Sequence, residues 1–68
     1  MGGQIYHMAD EFIAGQAGQY DGQSEDEAAS ALAASCRRYL EAEGWNPADY
    51  GVDLNQLALD GLRRHRNA

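Results

Sequence analysis

The sequence predicts an all-α fold: a small three-helix domain in the order helix, loop, long helix, short turn, helix, completed by homodimerisation. Three observations predict it. An alanine-rich stretch from Glu25 to Glu43 contains no glycine or proline. Two N-cap patterns, Ser24 with Glu27 and Asp53 with Gln56, stand before apolar runs. Large apolar residues then recur at helical spacing in each segment.

Residues 1–23 are read as a helix followed by a Gly-rich connection. Ile5, Met8 or Ala9, Phe12, Ile13 and Gln16 fit one helical stripe, and Gly15 and Gly18 argue for an end nearby. "GQAGQYDGQ" reads as a flexible polar connection. A short strand over "QIYHM" competes, because five alternating residues satisfy either period.

Residues 24–43 form the central helix. Glu25, Asp26 and Glu27 crowd its first turn, where the helix dipole favours negative charge. Ala29, Leu32, Ala33, Cys36 and Leu40 share one face, bordered by Tyr39. A second stripe of small residues, Ala28, Ala31, Ser35 and Ala42, suits either a close helix neighbour, including a dimer mate, or an exposed side.

Gly44 is placed to end that helix in the left-handed conformation. A Schellman ending would bring Trp45 onto Leu40. Asn46 caps and Pro47 opens a short helical turn over 46–51, closed by Gly51. Residues 53–66 form the last helix, with Leu54, Leu57, Ala58, Gly61, Leu62 and His65 on one face. Gly61 on that face suggests close packing against the alanine-rich middle helix. Leu59 lies off the stripe, exposed or in contact with a partner. Arg63, Arg64, His65 and Arg66 suit the negative end of the helix dipole better than a phosphate.

A chain of 68 residues has one thin core. Cys36 is the only cysteine, so no internal disulfide forms, and His7 and His65 offer no zinc-ligand spacing. Self-association is the remaining aid, and a homodimer is expected. No apolar run reaches the length of a membrane span, and the N-terminus has no signal-peptide pattern. Tyr6 stands where a myristoylation signal wants Ser or Thr. The reading is a soluble cytoplasmic protein without cofactor or metal.

The net charge is −6. Residues 1–36 hold Asp10, Glu11, Asp21, Glu25, Asp26 and Glu27 and no Lys or Arg. All five arginines follow. This asymmetry disfavours nucleic acid and favours a protein partner with a basic surface. Acids that only keep the chain soluble explain the same composition.

No constellation points to catalysis. Cys36 lies mid-helix on the apolar face and reads as an inert thiol. His7 and His65 have no evident partner. "DGQSEDE" fails as a calcium loop, because Asp26 stands where glycine is needed and Leu32 where the bidentate Glu belongs.

"EFIAGQAGQYDGQSEDEAA" resembles the segment joining the two helices of ParD-type ribbon-helix-helix antitoxins. The resemblance covers about a quarter of the chain and rests on the Phe-Ile, Gln, Gly-x-Tyr and Ser-Glu order. It implies a dimeric transcriptional regulator with an N-terminal DNA-reading strand and a toxin-binding C-terminus. No basic residue precedes Arg37, so "GQIYHM" brings no cationic side chain to a phosphate.

The remaining class is recognition of another protein. Trp, Tyr and Arg dominate binding hot spots. Arg37, Arg38, Tyr39, Trp45 and Tyr50 concentrate around one helix end, with Glu25, Asp26 and Glu27 for charge steering. Trp45 and Tyr39 serve equally as core in a chain short of large side chains. In size and charge the chain resembles small acidic inhibitors of phages and mobile elements, such as anti-CRISPR proteins. That analogy implies a non-catalytic inhibitor of a host protein or nucleoprotein complex, acting in the host cytoplasm by steric occlusion or acidic mimicry.

Overall fold

Where nearly half of the inward positions are alanine, a core closes only if the helices approach closely, since helix separation follows the side chains between them. The computed structural model describes residues 2–67 and obeys that condition. Three α-helices, α1 (Gly2–Gln16), α2 (Glu25–Ala42) and α3 (Leu54–Arg66), pack each against the other two. Short 3-10 turns lie at Ala17–Tyr20 and Pro47–Tyr50. The core joins Ile5, Ala9, Ile13 and Ala17 from the N-terminal segment to Leu32, Cys36 and Leu40 of α2 and Leu54, Ala58 and Leu62 of α3.

In α1, the stripe Ile5, Ala9, Ile13 is wholly buried. Helix occupies residues 4–8, and the burial there is helical and not alternating: Ile5 is buried, whereas His7, which a strand would turn to the same side, is exposed. The ribbon implied by the antitoxin resemblance therefore has no counterpart here: helix occupies the segment.

Ser24 caps α2. Its Oγ accepts from the Glu27 N–H at 3.3 Å and donates to the Glu27 carboxylate at 3.3 Å. At the other end Gly44 takes φ 90°. The Gly44 N–H donates to the Glu41 carbonyl at 3.0 Å and the Trp45 N–H to the Leu40 carbonyl at 2.9 Å. These are the two bonds of a Schellman ending. Asn46 then caps the second turn through the Ala48 N–H at 3.2 Å, and Gly51 closes it at φ 66°. Asp53 caps α3 through the Gln56 N–H at 3.1 Å.

Gly61 is buried, but its close neighbour lies on α1 and not on α2. A methyl group at Gly61 would overlap Cγ2 of Ile13. The alanine face of α2 instead receives Leu54, Ala58 and Leu62 among the core residues. Leu59 is half-buried against the same core.

The Gly-rich connection is tied down, contrary to the flexible segment expected. Ala17 is buried inside its first turn. The Arg66 guanidinium donates to the carbonyls of Tyr20 (3.0 Å) and Gln23 (2.8 Å). His65 Nε2 lies 3.1 Å from Asp21 Oδ1. Arg63 Nε meets Glu25 Oε1 at 2.9 Å, and Arg64 lies 3.9 Å from Asp10. The basic run of α3 thus faces acids from α1, the connection and α2. Its role is tertiary as well as dipolar, and the sequence asymmetry of charge is partly neutralised inside the chain.

Four outcomes test this packing. Gly61→Ala should lower stability by about 1–2 kcal/mol in denaturant unfolding, although alanine is the better helix former, because overpacking against Ile13 exceeds the propensity gain. Combining it with Ile13→Ala should lose less than the two single changes added, because the clash is then absent. Arg66→Met should cost about 1–3 kcal/mol by releasing two charge-assisted hydrogen bonds. Arg64→Met, at an exposed and long ion pair, should cost about 0–1 kcal/mol.

Candidate partner-binding surface

The corner between α2 and α3 gathers the aromatic residues. The Schellman bonds fold the chain back, so Trp45 packs half-buried against the core at the end of α2. Its ring meets that of Tyr50 at 5.5 Å between centroids, tilted by 54°. Tyr50 keeps 42 % of its surface exposed. The tilt and spacing are those of a favourable aromatic pair, and they hold the indole in one orientation. Tyr39, one position before the buried Leu40, stacks on Phe12 of α1 at 4.9 Å and 17° and remains 36 % exposed. Structural and presenting roles thus coexist: one part of each ring supports the fold, the other faces water.

The remaining predicted residues are distributed along α2. Arg37 and Arg38 are exposed, and Arg38 reaches only Ser35 Oγ at 3.4 Å. Glu25, Asp26 and Glu27 lie at the far end of the helix, roughly 20 Å from Tyr39 by helical rise. Glu25 is engaged by Arg63, and Glu27 completes the cap with Ser24. Only Asp26 of the three has no hydrogen bond or ion pair among the described residues. The eight predicted residues therefore do not form one patch. The tyrosines and tryptophan share an end, and the acidic first turn is elsewhere.

Negative charge at the aromatic corner comes from residues the sequence reading passed over. Glu41, Glu43 and Asp49 are exposed and make no side-chain hydrogen bond or ion pair among the described residues. Glu41 and Glu43 belong to the turn that the Schellman motif closes, and Asp49 precedes Tyr50 in the second. Their sequence signal was present: three acids within four positions of Trp45, with no cation after Arg38 until Arg63. Tyr6, 41 % exposed on α1, was also passed over.

Two shallow grooves flank the bundle. One of about 430 Å³ runs between α1 and α3, lined by Asp10, Glu11, Ala14, Gly61, Arg64 and His65. The other, of about 280 Å³, runs between α2 and the start of α3. Among the described residues, no group of three His, Cys, Asp or Glu side chains is placed to hold a metal ion. Among the described residues, no helix is long and apolar enough to cross a membrane. His7 pairs with Glu11 one turn on, at 3.2 Å. Cys36 is fully buried, and its thiol is pushed up from 9.0 to about 11, first by burial and then by the Asp10 carboxylate.

No protein-family model matches the chain, and neither a curated protein nor a solved structure does.

The raised thiol has a signed consequence. The folded state holds this proton more tightly than the unfolded chain, so its contribution is complete below the ordinary thiol value and declines as pH rises toward about 11. In denaturant titrations, the stability advantage of wild type over Cys36→Ala should shrink by about 2–3 kcal/mol from about pH 8 to beyond the folded value. Thiol reagents at neutral pH should react with Cys36 only after unfolding.

Proposed function

We propose that the protein is a non-catalytic binding module that recognises a basic surface of another protein through its α2–α3 corner and blocks that surface sterically. Tyr39, Trp45 and Tyr50 supply the contact area. Glu43 and Asp49 supply the charge complementarity, in place of the first-turn acids, while Glu41, two positions from Tyr39 on α2, lies on the other side of that helix. The observation that carries this reading is the coincidence of oriented, part-exposed aromatic rings with carboxylates left free of internal partners. Elsewhere Asp10, Asp21 and Glu25 already face cations of the same chain. Aromatic rings anchored in the fold bind at low entropic cost, and free acids beside them steer a cationic partner and offer cation–π neighbours. Arg37 and Arg38 border the patch and limit which basic surfaces fit.

The experiment compares partners captured from source-cell lysate by wild type, by Tyr50→Ala and by Glu43→Lys/Asp49→Lys. A partner held through the corner is expected to be retained by wild type and released by moderate salt. Tyr50→Ala should weaken it by about tenfold or more, and the double reversal should abolish it. The double reversal should melt like wild type, since Glu43 and Asp49 are exposed, and Tyr50→Ala should lower stability by about 0.5–1.5 kcal/mol through the lost Trp45 contact, too little to unfold the chain. Trp45→Ala should lower stability as well as binding. Capture unaffected by both corner variants would refute the assignment. Retention of duplex DNA with steep salt dependence would favour a nucleic-acid function instead.

A further inference from the structure

We propose that the outward face of α2 is a self-docking surface, on which α2 of a second copy lies antiparallel with Glu27 of each chain opposite Arg37 of the other. This proposal does not rest on the aromatic contacts of the α2–α3 corner, although its seam ends beside that corner at Arg37 and Glu41.

The exposed residues of α2 carry a seam. Glu27, Ser30, Ala34, Arg37 and Glu41 are all exposed, at intervals alternating three and four. That alternation keeps positions along one side of a helix and is the spacing of helix pairs that meet along a seam. The face lies away from the buried stripe of Ala29, Leu32, Cys36 and Leu40. Its middle is short, since Ser30 and Ala34 allow a second backbone to approach.

Charge selects the occupant and its direction. Among the described residues, Arg37 and Arg38 are the arginines with no carboxylate or carbonyl partner in the chain. Arg63 and Arg64 face acids, and Arg66 faces carbonyls. The complementary charge on the same face is Glu27, with Asp26 beside it. An antiparallel copy with Glu27 opposite Arg37 also sets Ser30 opposite Ala34. The two-fold axis repeats every layer, so each pairing occurs twice. A parallel copy would set Glu27 against Glu27 and Arg37 against Arg37, which like charge disfavours. The second chain also finds a recess. The groove of about 280 Å³ beside this face has Ser30, Ala34 and Arg37 on one side and Val52, Asp53 and Asn55 on the other.

The test uses full-length chains carrying Arg37→Glu or Glu27→Arg. Each alone meets its own copy with like charges, and its self-association should weaken by about tenfold, the effect of about 1.4 kcal/mol over two symmetric layers. An equimolar mixture restores both layers and should form the heterodimer with near wild-type affinity by sedimentation equilibrium. A second arm leaves the Ser24–Glu27 cap intact and decides the matter if Glu27→Arg fails to fold. Ser30→Cys mixed with Ala34→Cys should form an intermolecular disulfide under mild oxidation, and neither alone should do so efficiently. Cys36, being buried, stays out of that exchange. A wild type that stays monomeric at millimolar concentration would overturn the proposal. So would homodimers indifferent to the charge reversals, or a Ser30→Cys chain that cross-links to itself as readily as to Ala34→Cys.

Discussion

The close approach of α3 to α1 at Gly61 and Ile13 sets the terms for the rest of the structure. With Ala9, Ala17, Ala28, Ala29, Ala33 and Ala58 at buried positions, few inward side chains are large enough to span a wide gap. Ile13 fills its site only because Gly61 has no side chain to oppose it. The same contact brings the last turn of α3 beside the connection after α1. The Arg66 bonds to Tyr20 and Gln23 and the His65 contact with Asp21 follow from that placement. A looser crossing at Gly61 would remove both the apolar fit and the polar ties beyond it.

Much of the helix architecture was legible because local signals and burial agree. Ser24, Asn46 and Asp53 cap where their side chains can reach the following N–H groups, and Gly44 and Gly51 adopt the positive φ that only glycine takes freely. The Trp45–Leu40 relation followed from Schellman geometry alone. What the sequence concealed was pairing between distant positions. Periodicity shows that Gly61 faces inward, but it does not say which helix it meets. The choice of α1 depends on how three helices share one thin core. The ties between the basic run and Tyr20, Asp21 and Gln23 span more than forty positions, beyond any local pattern.

The same limit explains the displaced acidic site. Glu25, Asp26 and Glu27 form the densest acidic run, and density suggested charge steering. In the fold, Glu25 meets Arg63 and Glu27 serves the cap, so the run is partly occupied by its own chain. Glu43 and Asp49 stand on either side of Trp45 in sequence, a sparser signal than the first-turn run, and share the corner that Gly44 and Gly51 build. Free charge is a property of the folded surface after internal pairing, and composition does not report it.

That distinction bears on how salt should act on the molecule. The internal pairs at Arg63 and Arg64 are exposed, and exposed pairs contribute little each. The fold rests on apolar burial and on the Arg66 bonds to backbone carbonyls, which depend less on screening than a field at a distance does. Attraction between the corner and a cationic partner acts over several ångströms of water before contact, where the Debye length of about 8 Å at physiological salt governs it. Charge across the proposed α2 seam lies between these cases, because docking partly excludes water from it. Raising ionic strength should therefore weaken partner encounter first, the α2 seam next and the fold least. That order follows from how much of each charge remains in contact with solvent.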